Sequence, residues 1–167
     1  IHPPLLYLGF VGSSIYFSAA LASLISKFDG KNFATVSKPW VLISWLFQTL
    51  GILVGSIWAY YELGWGGYWF WDPVENSSLI PWFLMTALFH SILVLEKRDG
   101  IYLWVIILSI LTFTMSVTGT FLVRSGILNS VHTFANDPSR GMFILTFLSI
   151  MIFSSVYIFY KFSPTEE

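Results

Sequence analysis

The sequence predicts an all-α, polytopic integral membrane helix bundle of about five transmembrane helices with a tryptophan-rich outer loop. Three observations lead there. Of 167 residues, 56% are hydrophobic and 10% are charged, against roughly 25% charged in soluble domains. The apolar residues fall in blocks of about twenty, the length that crosses a bilayer. Between two blocks stands Gly64–Asn76, GWGGYWFWDPVEN. Its glycines and proline suit no core strand, and its carboxylates, Asp72 and Glu75, suit no membrane helix. Residues 1–167 read as one membrane domain, with residues 64–76 as its distinct loop.

The first span runs from Pro3 to Ser26, with Pro3 and Pro4 tolerated in the opening turn. Lys27 to Lys38 reads as a polar loop, and Pro39 opens a second span ending near Tyr61. After the tryptophan loop, Ser77 or Ser78 is the expected cap of a third span to Leu95, which places Pro81 near its first turn. EKRDG is a short turn, the fourth span covers Ile101 to Val123, and the fifth covers Gly141 to Tyr160. There is no internal repeat. The first residue is Ile1, and no basic segment precedes the first apolar block. The chain is therefore expected to be processed or a piece of something longer, with no visible signal peptide.

Charge orients the spans and narrows the function. If they alternate, one side receives Lys27, Lys31, Lys38, Lys97, Arg98 and Lys161, and the other only Arg124 and Arg140. That asymmetry fits the positive-inside rule. It puts the N-terminal segment, the tryptophan loop and Arg124–Arg140 on one outer face. The net charge of -1 argues against a nucleic-acid partner. The absence of cysteine excludes a disulfide framework, a thiol nucleophile and a cysteine metal site.

Tryptophan and tyrosine gather at membrane interfaces in any case, so Trp40, Trp58, Tyr60, Tyr61 and Trp104 read as anchors. Trp65, Trp69 and Trp71 stand apart, because they alternate with other residues in a short glycine-rich loop. Such alternation offers one aromatic face, suited to a large flat apolar ligand. Asp72 and Glu75 either bound its polar edge or cap the following helix. His2 and His132 lie on the same predicted side as this loop. Two imidazoles flanking a flat aromatic site are the axial arrangement of a haem iron. His90 falls about eleven residues into the third span, near the expected bilayer middle. An ionisable residue at that depth is a functional candidate. A neutral imidazole suits a metal; the bland alternative is a histidine bonded to a neighbouring helix.

WGGYWFWDPVENSS closely resembles the WWD motif of the haem-handling proteins of cytochrome c biogenesis. IHPPLLYLGF ahead of it and GTFLVRSGILNSVHTFANDPSRGMF behind it resemble the haem lyase family of cytochrome c maturation that includes CcmF and NrfE. The resemblance implies that His2 and His132 bind the iron of an incoming haem, and that His90 holds a resident haem b. It also implies that haem lies over Trp65, Trp69 and Trp71 while two thiols of an apocytochrome c add to its vinyl groups. Asp72 would border the haem, and Arg124 or Arg140 would pair with its propionates or merely flank span ends.

Family members are much longer, and the second ligand of the resident haem lies downstream of the segment matched here. The chain is therefore expected to be the middle piece of a split haem lyase, inactive alone. Its expected partners are the other fragments, haem-delivery proteins and apocytochrome c. Thr86, Ala87 and Ser91 are expected where another polypeptide's helix approaches His90. The mitochondrial inner membrane is the favoured location, on the sixteen phenylalanines taken as a mark of AT-rich coding; a bacterial inner membrane is the alternative. The rival functions are a haem b and quinol electron-transfer subunit without ligation activity, and a purely structural membrane subunit.

Overall fold

In lipid, a spanning backbone must satisfy its own polar groups, and the helix does so within a single segment. The computed structural model describes residues 1–131 and 136–164. Its elements are α1 (His2–Ser26), α2 (Gly30–Glu62), α3 (Pro73–Lys97), α4 (Tyr102–Ser125) and α5 (Pro138–Phe162), with no strand among the described residues. All five helices are long and apolar enough to cross a membrane.

Local chemistry sets most ends. Pro3 and Pro4 occupy the first turn of α1, and the helix stops where Lys27 turns left-handed at φ 53°. α4 stops at Gly126, φ 70°, a conformation that costs glycine little. Asp72 caps α3 by accepting the Val74 N–H, and Asp137 caps α5 by accepting the Arg140 N–H. A proline follows each of these caps, at the position where its missing N–H is harmless.

Four helices begin earlier than the sequence suggests, α1 by one residue, α5 by three, and α2 and α3 by more. α2 starts at Gly30, so the expected polar loop is mostly helical and Pro39 lies inside the helix. The segment is amphipathic: Phe33, Ala34 and Ser37 are buried while Lys31, Asn32 and Thr35 are exposed. Lys31 pairs with Asp99 at 3.5 Å and Lys38 with Glu96 at 2.8 Å, which ties this extension to the end of α3. Pro39 deprives one carbonyl of its partner, on a face where Thr35 and Pro39 are both exposed. α3 starts at Pro73 rather than near Ser77, capped by Asp72, and so Pro81 is interior.

The helices run alternately up and down. α2 packs against α1 and α3, α4 against α3, α1 and α5, and α5 touches α1 more lightly. One core, built from Tyr16, Leu24, Phe33, Leu88, Ile92 and Ile106 with their neighbours, fills the half of the bundle nearer the Lys38–Glu96 pair. A smaller cluster of Phe17, Leu148 and Met151 joins α1 to α5.

α1 and α2 approach through glycine. A Cβ placed on Gly51 would lie 2.8 Å from the Leu6 nitrogen, and one on Gly9 3.0 Å from the Gln48 Cα. Small residues let helix backbones come this close in a membrane. Ser44 joins the same contact, donating to the Gly9 carbonyl at 2.8 Å.

Candidate functional site: a cavity beneath the tryptophan loop

Beyond this tight contact the helices part. Their ends and the tryptophan loop enclose a cavity of about 470 Å³, within the usual range of small-molecule sites, roughly 300–1,000 Å³. Its wall is mostly apolar. His2, Trp69, Glu75 and Arg124 bring chemistry to it from α1, the loop, α3 and α4.

His2 opens α1 and is half-buried. Its ring meets Trp58 with centroids 5.7 Å apart. Gly55 makes room behind it, since a Cβ there would stand 3.1 Å from His2 Cδ2. Trp58, read from sequence as an anchor, is thus a wall of the cavity. Arg124 lies in the last turn of α4, and its carbonyl accepts the Asp137 N–H at 2.8 Å, which draws the start of α5 to this end. Arg140 lies outside the cavity, paired with Asp137 at 3.2 Å.

The three loop tryptophans do not share one face. Trp69 lines the cavity, and its indole N–H is buried with no hydrogen-bond partner among the described residues. Trp65 is half-buried and stacks on Phe70 at 5.0 Å, outside the cavity lining. Trp71 is 70% exposed. The alternation breaks at Trp71 because its backbone is left-handed, φ 61°, a conformation uncommon for a bulky residue. Two hydrogen bonds from the first turn of α3 hold the chain there: Glu75 accepts the Phe70 N–H at 3.2 Å, and Asn76 donates to the Trp71 carbonyl at 3.3 Å.

Asp72 is not in the cavity wall. Besides capping α3 it accepts the Ser130 hydroxyl, so it latches the α4–α5 connection onto the tryptophan loop. His132, two residues beyond Ser130, lies outside the described residues.

His90 is elsewhere. It is the eighteenth of the 25 residues of α3, about 25 Å along the helix from Pro73 and about 10 Å from Lys97. It therefore sits toward the Lys97 end of α3 rather than at its middle, where the sequence places it. It is exposed on the bundle surface, and its Nδ1 meets the Thr86 carbonyl at 2.9 Å. A carbonyl only accepts, so this contact requires the hydrogen on Nδ1, the tautomer whose lone pair is on Nε2. Thr86 itself turns to α2, accepting the Trp45 indole N–H at 2.9 Å. Ala87 is exposed beside it.

The family model described as cytochrome C assembly protein matches residues 1–128. The chain belongs to the cytochrome c assembly protein family. It is 58% identical over 159 residues to the cytochrome c-type biogenesis protein CycK of Bradyrhizobium diazoefficiens, covering 95% of this chain and 24% of that one. It is 55% identical over 158 residues to CcmF of Escherichia coli, again covering 95% of this chain and 24% of the relative. NrfE of Haemophilus influenzae is 51% identical over 159 residues, covering 92% and 25%. The solved structure of the cytochrome c heme lyase CcmF superposes with a TM-score of 0.77 at 34% identity, over 99% of this chain and 26% of that one. This member of the cytochrome c assembly family thus spans about a quarter of the length of the curated relatives it matches, and those relatives are bacterial.

Proposed function

We propose that the chain is the haem-handling segment of a cytochrome c haem lyase. The observation that carries this reading is the cavity that joins His2, Trp69 and Arg124 from three separate elements, in a chain 55% identical to CcmF. The donor set fits haem. An imidazole ligates iron, an aromatic wall takes the macrocycle, a guanidinium binds carboxylates, and the orphaned Trp69 N–H offers a further donor to a propionate.

In this reading His2 and His132 are the ligands of the incoming iron, Trp69 lies against the porphyrin and Arg124 holds a propionate. Trp65 and Trp71, outside the cavity lining, flank Trp69 in the loop. Asp72 acts indirectly, by holding the segment before His132 against the loop through Ser130. The reaction adds each cysteine S–H of apocytochrome c across a haem vinyl C=C: a C–S bond forms, the hydrogen goes to carbon, and nothing leaves. The chain needs no cysteine of its own, since the substrate brings both thiols.

His90 is the proposed ligand of a resident haem b, whose contribution when bound is electron transfer. An exposed ring with Nδ1 already engaged and Nε2 open suits that role. The second ligand then comes from outside these 167 residues, as do the remaining parts of the lyase. Haem-delivery proteins and apocytochrome c meet the outer face. The membrane is an energy-transducing inner membrane, with the tryptophan loop toward the periplasm or, in a mitochondrion, the intermembrane space.

The test is in the assembled lyase. His2→Ala and Arg124→Ala, made separately, are expected to abolish covalent haem in a co-expressed cytochrome c on a haem-stained gel while leaving the b-type spectrum of the purified complex intact. Normal covalent attachment in both variants overturns the cavity as the site.

A further inference from the structure

Below the cavity, α2 and α3 are joined by a closed ring of four side chains. The Trp45 indole donates to the Thr86 hydroxyl at 2.9 Å, and the Trp82 indole donates to the Thr49 hydroxyl at 2.8 Å. Each threonine hydroxyl donates in turn to the carbonyl of the tryptophan four residues before it, Thr86 to Trp82 at 2.8 Å and Thr49 to Trp45 at 2.7 Å. The indoles stack, with centroids 6.2 Å apart and planes 28° apart. The pattern closes because the helices are antiparallel and each carries Trp and Thr at one helical repeat. Every hydroxyl and indole N–H in it is satisfied, as an apolar surrounding demands.

Thr86 belongs to this ring and also touches His90. Its main-chain carbonyl is the acceptor for His90 Nδ1. A free neutral histidine in water favours the other tautomer, with hydrogen on Nε2, whose lone pair is then not available to iron. A histidine ligand typically donates its second ring N–H to a carbonyl or carboxylate, which fixes the tautomer and raises its basicity.

We infer that the Trp45–Thr86–Trp82–Thr49 ring is a positioning device for His90. It pins Thr86 against α2, so that the Thr86 carbonyl holds His90 in the Nδ1–H tautomer with Nε2 presented outward from α3. Thr86 and Trp45 are positioning residues; His90 alone is the ligand. The inference rests on the reading of His90 as an iron ligand, and the experiment separates the two.

The first arm reads the tautomer without haem. Iron-free lyase in nanodiscs, labelled with [15N]histidine and held at alkaline pH, gives imidazole nitrogen signals by solid-state NMR, with His90→Gln identifying the one that matters. A protonated Nδ1 and a bare Nε2 are expected; hydrogen on Nε2 overturns the inference. The second arm uses haem-loaded lyase. Thr86→Val is expected to raise the midpoint potential of the b haem, since the ligand becomes less basic, and to alter its low-spin EPR g values. Thr86→Ser, which keeps the hydroxyl, restores both. Thr49→Val removes the far half of the ring, and is expected to lower thermal stability as much as Thr86→Val with a smaller shift in potential. Equal shifts for the two valine variants, or none, reduce the ring to a structural contact and overturn positioning. A b-type spectrum that survives in His90→Ala removes the ligand reading itself, independently of the tautomer result.

Discussion

Trp69 shows what one orphaned atom implies. Its ring lines the cavity while its N–H is buried without a partner among the described protein residues. A buried donor left unsatisfied costs about 1–3 kcal/mol, and a cavity wall is where a ligand acceptor offsets that cost. Trp69→Phe keeps most of the ring and deletes the donor. The ligand-free variant is expected to unfold at a higher temperature than the parent, and the haem-loaded variant to lose haem faster in a transfer assay to apomyoglobin. A melting temperature below that of the parent would show that the indole N–H is satisfied by the protein. Trp71 is the opposite case. It is exposed and its backbone is left-handed, which for a non-glycine residue costs on the order of 1–2 kcal/mol. Glu75 and Asn76 sustain it by hydrogen bonding Phe70 and Trp71.

At the scale of elements, α3 depends on its cap and α1–α2 on close approach. Asp72 accepts the Val74 N–H and the Ser130 hydroxyl. Asp72→Ala removes both acceptors, and is expected to cost about 1 kcal/mol through the cap alone, with a further loss from the freed α4–α5 connection. Asp72→Asn retains cap capacity and should fall between the two. Denaturant titrations of the three proteins, followed by tryptophan fluorescence, check the order; an Asn variant worse than Ala contradicts it. Gly51 is less forgiving. A methyl there meets the Leu6 backbone at 2.8 Å, and backbone cannot rotate aside. Gly51→Ala is expected to push α1 from α2 and to destabilise by roughly 1–3 kcal/mol, visible as a fall in melting temperature. The unchanged protein would show that the contact is looser than this.

For the whole molecule, the ends of the bundle are chemically distinct. The Lys31–Asp99 and Lys38–Glu96 pairs mark one end, and the cavity with His2, Trp69 and Arg124 marks the other. The two pairs are partly exposed, so each is worth at most about 1 kcal/mol; their interest is topological. Because the chain lacks cysteine, single cysteines report sidedness without background. Tyr61→Cys, at the exposed cavity end, is expected to react with a membrane-impermeant maleimide from outside intact cells or mitoplasts. Arg98→Cys should react only after the membrane is opened. Labelling in the reverse order would invert the orientation taken from the lysine distribution.

Five blocks of about twenty apolar residues were enough to number the helices, because a bilayer admits little else. The alternation of spans then put His2, the tryptophan loop and Arg124 at one end, and the cavity brings them together there. Hydropathy did not reveal where α2 and α3 begin. Gly30–Lys38 is polar in composition but amphipathic in three dimensions, and its buried side becomes evident only with α3 beside it. Nor did alternation disclose which tryptophan faces inward, since that turns on the left-handed Trp71 and its bonds to Glu75 and Asn76. The Trp–Thr ring was the least legible feature. Its partners are 41 and 33 residues apart, and Trp45, Thr49, Trp82 and Thr86 are individually ordinary membrane residues. Sequence determined what had to leave water and on which side charge remained. Tertiary structure decided which polar groups met within the apolar interior, because hydrogen bonds are directional and short-ranged whereas apolar burial is neither.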